Sequence, residues 1–160
     1  MNDLLKSFWE WMYFSYGVSY ERYTKKGLHQ PSGQDECEFP HFHRLINYAE
    51  SIIESNKVDE GSIDDLLTIL ALDNEAENIL ELIVEKSSNE QLKSIISYGI
   101  KHPLFNARWQ LAEIINRRKP DCYKEYLLTL SRDPHQCVKR RAVNCLNYMG
   151  SNLSYEKTAK

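Results

Sequence analysis

Three runs of the chain place apolar residues at the same helical intervals. Ala76, Leu80, Ile83 and Val84 are spaced i, i+4, i+7, i+8, which sets them along one stripe of a helix because 3.6 residues complete a turn. A shift of 31 residues superimposes Ala107, Leu111, Ile114 and Ile115, and a second shift superimposes Val138, Ala142, Cys145 and Leu146. One stripe written three times is an internal repeat. A further helix-forming segment precedes each copy: IDDLLTILAL, EQLKSIISYGIK and CYKEYLLTLSR. Helix pairs recurring every 30 or so residues predict stacked hairpins, each burying its apolar stripe against its neighbours.

The polar positions between these runs read as punctuation. Ser62 and Ser88, followed three residues later by Asp65 and Gln91, have the spacing of N-caps and predict helix starts near 63 and 89. Pro103, Pro120 and Pro134 are placed for the first turn of a helix, where a missing N–H costs nothing, and Gly150 for the left-handed stop of the last helix. Pro40 opens a one-sided helix with Leu45, Ile46, Ala49, Ile52 and Ile53. No segment alternates with period two, so about eight helices and no sheet are expected.

The opening 34 residues differ in composition, with eight of the eighteen aromatic residues lying between Phe8 and Tyr23. A helix lying on a membrane surface would carry a basic polar face, which is missing here. The segment reads better as a cap over the first hairpin, with Phe8, Trp11, Met12 and Tyr16 turned toward the core. The 160-residue chain is then one domain: an aromatic cap and loop over 1–34, a linking helix within 35–61, three hairpins over 62–149 and a flexible tail over 150–160. Residues 27–39, rich in turn formers, are the expected flexible loop. A chain of this length buries a core without metal or disulfide staples.

DPHQCVKRRAVNCL, with Asp133, Val138, Lys139, Ala142 and Leu146, resembles the second-helix signature of HEAT repeats, over about 62–149. The chain departs from that pattern at His102, where an Asp would stand, and at Glu77, where a basic residue would stand. The resemblance implies an all-α fold, a right-handed stack of antiparallel helix hairpins forming a HEAT-like α-solenoid.

Charge divides the chain. The net of −3 is the sum of +1 over 1–34 (four Lys and Arg, three Asp and Glu), −12 over 35–90 (three and fifteen) and +8 over 91–160 (thirteen and five). Such a dipole steers an oppositely charged partner toward one end. Glu77, Glu81 and Glu85 stand at i, i+4, i+8, opposite the apolar stripe, although like charges at that spacing weaken a helix. With Asp64, Asp65 and Asp73 they are the expected partner-binding surface. The rival surface is basic: Arg108, Arg117, Arg118, Lys139, Arg140 and Arg141 could contact phosphates.

Catalytic motifs are missing: the sequence has no phosphate-binding glycine loop, nucleophile elbow or zinc-protease helix. Cys37, His41 and His43 are spaced C-x3-H-x-H without a fourth ligand, so no metal and no cofactor are expected. Apolar runs are broken well short of the roughly 20 residues of a membrane helix, and the N-terminus lacks a secretory pattern. The four cysteines sit mostly at apolar positions, as free thiols in a reducing, cytoplasmic compartment would. Size, helical architecture and charge together resemble the immunity proteins of contact-dependent inhibition and other polymorphic toxin systems, which implies a protein partner: a toxin domain with a basic surface. The alternative expectation is a HEAT-like nucleic-acid-binding protein, similar in architecture to DNA glycosylases and using the basic C-terminal half. The −12 segment disfavours it.

Overall fold

The computed structural model describes residues 1–26, 38–55 and 59–158, with side chains over 1–24, 38–55 and 59–148. Among the described residues the chain is all-helical, with no strand: α1 (Asp3–Tyr16), α2 (Tyr20–Lys26), α3 (Phe42–Glu54), α4 (Glu60–Leu72), α5 (Asn78–Lys86), α6 (Asn89–Gly99), α7 (Phe105–Arg118), α8 (Tyr123–Leu130) and α9 (Gln136–Thr158). The repeat emerges as expected at its centre. Leu80, Leu111 and Ala142 occupy equivalent positions on α5, α7 and α9 and are all fully buried. These helices form a packed row, α3 against α5, α5 against α7 and α7 against α9. α3 is therefore more than a linker, because it holds the first place in that row.

α4 lies at the centre of the body, packed against α3, α5, α6 and α7. Its run Leu66–Leu72 is buried on every side, which explains why LLTILAL shows so little amphipathic contrast. Gly99 on α6 permits close packing here. A Cβ at that position would run into Leu111 Cδ1 and come within 3.0 Å of Leu67 Cδ2.

Gly17 divides the aromatic segment into two helices. At φ 66° it ends α1 in the left-handed region and donates its N–H back to the last turn, a conformation available to glycine at no steric cost. The buried stripe of α1 is Leu5, Phe8, Trp9 and Met12. Phe8 and Met12 thus point inward as expected, whereas Trp11 is half-buried and Tyr16 is exposed, donating its hydroxyl to Glu38 at 2.7 Å. Trp9 takes the inward place instead, edge-on to Tyr20 and Tyr23 of α2. The expected loop 27–39 falls mostly outside the described residues.

Several expected boundaries move. Ser88 does form a capping box with Gln91. Ser62 does not cap: Asp59 accepts its N–H at 2.9 Å and starts α4 earlier. Pro103, Pro120 and Pro134 stand two or three residues ahead of α7, α8 and α9 rather than in their first turns. Gly150 lies inside α9, which continues to Thr158 where a tail was expected. Ala76 is exposed in the turn before α5, because that helix begins only at Asn78.

Candidate protein-binding face

The acidic residues singled out by sequence separate into fasteners and surface charges. Asp65, 5% exposed, accepts from the Asn2 N–H at 3.0 Å and from the Tyr48 hydroxyl at 3.1 Å, tying α1 and α3 to α4. Asp73, 1% exposed, accepts from Ile79 N at 2.7 Å and Asn78 Nδ2 at 3.2 Å, satisfying the start of α5. Burial pushes its carboxyl above the usual range against the pull of these bonds. Asp64 is half-buried, 3.5 Å from His102 Nε2 and 3.4 Å from the Tyr98 hydroxyl, and the imidazole beside it holds its carboxyl below the usual range. The three aspartates hold the fold together and do not form a common outer surface.

Glu81 accepts from both terminal guanidinium nitrogens of Arg117, at 2.6 and 2.8 Å, which keeps its carboxyl low. Glu77 is half-buried in a left-handed conformation, φ 56°, where Asp73 closes the turn. Glu85 is exposed.

The basic set divides in the same way. Arg108 forms a two-pronged pair with Asp133, at 2.7 and 3.1 Å, and donates to the carbonyls of His102 and Pro103. Arg118 donates to the carbonyls of Val84 and Ser87 at 2.7 and 3.1 Å, closing the C-terminal end of α5. Lys139, Arg140 and Arg141 remain on α9, the first half-buried and the other two exposed.

α5, α7 and α9 bring Glu81, Glu113, Arg117, Arg140 and Arg141 onto one face. Trp109, Glu113 and Arg117 stand at i, i+4, i+8 on α7, one above another on the same side. Arg117 reaches Glu81 of α5, while Glu113 lies 3.6 Å from Arg141 of α9, whose guanidinium sits 5.0 Å from the Trp109 ring centre. The row runs from carboxylates on α5 to guanidiniums on α9. Beside Trp109 the surface dips into a cleft of about 480 Å³ lined by Trp109, Cys137, Arg140, Arg141 and Asn144. Trp109 and Asn144 escaped the sequence reading; an aromatic residue sharing a polar helical stripe with Glu113 and Arg117 was the available signal.

Also unforeseen were two buried amides of α7. Gln110 Nε2 donates to Leu70 O at 2.6 Å and Asn106 Nδ2 to Ala71 O at 3.4 Å. They satisfy carbonyls at the C-terminal end of α4, which has no water to turn to.

His41 and His43 are exposed at the start of α3, and Cys37 lies outside the described residues. Cys122 and Cys137 are exposed, whereas burial pushes the Cys145 thiol up to about 11. In native protein at neutral pH, iodoacetamide is expected to alkylate Cys122 and Cys137 while sparing Cys145, since the thiolate is the nucleophile. Peptide mapping reads this directly. Equal labelling of Cys145 without denaturant would show that α9 is not seated on α7.

Among the described residues no helix is long and apolar enough to cross a membrane. Compared with protein-family models, characterised proteins and solved structures, the chain matches none.

Proposed function

We propose that the protein is a HEAT-like binding module with no chemistry of its own, which engages a protein partner through the face of α5, α7 and α9. Its partner class is a domain with a basic surface, as in toxin–immunity pairs, and its site of action is the cytoplasm. The carrying observation is that carboxylates and guanidiniums share this face in one connected row, Glu81–Arg117 and Glu113–Arg141. A polyanion laid along the row would meet Glu113, Glu81 and Glu77, whereas a protein surface matches both signs. Arg140 and Arg141 beside Trp109 favour nucleic acid as the second reading, but Arg108, Arg117 and Arg118 are engaged within the fold.

The test uses a partner captured from the native host. Replacing Glu77 and Glu85 with Gln leaves the Glu81–Arg117 pair in place. The variant is expected to fold as before, since like charges are removed and Gln keeps the shape of the half-buried Glu77. Association with the partner should slow severalfold and its salt dependence should flatten, because exposed charges act on encounter and are screened over about 8 Å at physiological ionic strength. If duplex DNA competes for the site, and a Lys139, Arg140 and Arg141 to Gln variant alone loses binding, nucleic acid is the ligand.

A further inference from the structure

We propose that the cleft between α7 and α9 receives an acidic side chain of the protein partner, which makes it a second anchor of opposite sign to the glutamates of α5. This inference rests on the protein-binding reading and names the chemistry of one part of that face. Among the described residues the cleft is lined by donors that make no hydrogen bond to an acceptor. Arg140 forms no hydrogen bond or ion pair among the described residues, and neither does the Asn144 amide, one helical turn further along α9. Arg141 lies over Trp109, and its nearest carboxylate oxygen, on Glu113, is 3.6 Å away, beyond hydrogen-bond reach. A guanidinium carries five N–H donors, and a contact of its carbon with the indole ring leaves donors to grip an oxyanion. Elsewhere on α7 the arginines Arg108, Arg117 and Arg118 are engaged by partners within the fold.

The aromatic wall is fixed before any partner arrives. Trp109 is half-buried, and its Nε1–H donates to Asn106 Oδ1 at 3.1 Å. Asn106 is itself 2% exposed. A rigid ring flanked by arginines has the composition of an interface hot spot, with little ordering entropy left to lose. The neighbourhood decides between a carboxylate and a phosphate chain. One carboxylate needs only the cleft, whereas a nucleic-acid backbone leaving it along the row passes Glu113 and then Glu81. With helices packed 8–10 Å apart, the α5 glutamates lie two packings away from α9, roughly 16–20 Å. The partner is therefore a protein whose basic patch is accompanied, at about that distance, by an exposed Asp or Glu.

The probe is an N-acetylated, C-amidated peptide of alternating Asp and Glu, titrated into the isotope-labelled full chain and followed by NMR. Its Asn/Gln counterpart and a DNA duplex are titrated in parallel. Shifts are expected at the Trp109 indole, the Arg140 Nε–H and the Asn144 amide, and Arg140→Gln with Arg141→Gln should weaken the acidic peptide about tenfold or more, the usual consequence of losing charge-assisted bonds. Arg140→Gln alone, at an exposed position, gives the same direction should the double change loosen Trp109. Arg132→Gln, outside the cleft, should leave the affinity unchanged. Equal binding of the uncharged peptide, or an equal loss with Arg132→Gln, overturns the proposal. So does displacement of the acidic peptide by the duplex, which would assign the cleft to nucleic acid. Failure of the Glu77 and Glu85 variant to slow the captured partner, with peptide binding intact, would instead count against the wider face and spare the cleft.

Discussion

Leu111→Ala is expected to destabilise the protein by about 2–5 kcal/mol, because it deletes buried methylenes at a position whose neighbours are helices unable to collapse inward. Leu111 is fully buried on α7, and its Cδ1 fills the space left by the absent side chain of Gly99 on α6. That relation yields a sharper expectation. Gly99→Ala alone forces a methyl group into Leu111 and Leu67 and should cost about 1–3 kcal/mol by overpacking. In the Leu111→Ala background the same methyl enters the cavity instead. The double variant should therefore be more stable than the sum of the single changes predicts. Urea unfolding followed by circular dichroism measures all three, and strict additivity would show that α6 and α7 do not meet at this point.

Arg108→Ala should be comparably severe, about 3–5 kcal/mol, the usual result of stripping one partner from a buried ion pair. Asp133, whose side chain is 6% exposed, would be left with only the His135 N–H at 2.8 Å to answer it. The carbonyls of His102 and Pro103 would lose their donor as well. Adding Asp133→Asn should recover part of the loss, since the amide oxygen can still accept from His135 while the buried charge is gone. No recovery would mean that Arg108 acts through those carbonyls or through packing of its stem. The pair joins the first turn of α7 to the α8–α9 turn, so its loss should loosen the last hairpin first. Alkylation of Cys145, buried in that hairpin, would report such loosening before global unfolding.

The proposed binding face depends on which charges the fold leaves over. Asp64 and Asp65 are neighbours of one chemical type, yet one is half-buried beside His102 and the other is sealed under Asn2 and Tyr48. Nothing local distinguishes them. The difference arises because α1 arrives from 63 residues earlier in the chain to cover only one of the two. Glu81 and Glu85 show the same division: Arg117, 36 residues further on, engages the first and not the second.

What the chain determined by itself was the local grammar. The i, i+4, i+7, i+8 stripes of α7 and α9 and the Ser88–Gln91 capping box follow from helix geometry, and they hold whatever surrounds the helix. Local pattern also placed Leu80, Leu111 and Ala142 in the interior. It faltered where several helices compete for one residue: at α4, buried all round, at α1, whose inward face includes Trp9 instead of Tyr16, and at Ala76, left outside a shortened α5. Only the tertiary structure decided which carboxylates and guanidiniums became internal fasteners and which remained outside. Asp73 finds its partners five and six residues on, but the other pairings reach as far as 25 residues for Arg108–Asp133 and 63 for Asn2–Asp65. Their partners are set by how helices stack, and a charge satisfied inside the fold is no longer available to a ligand.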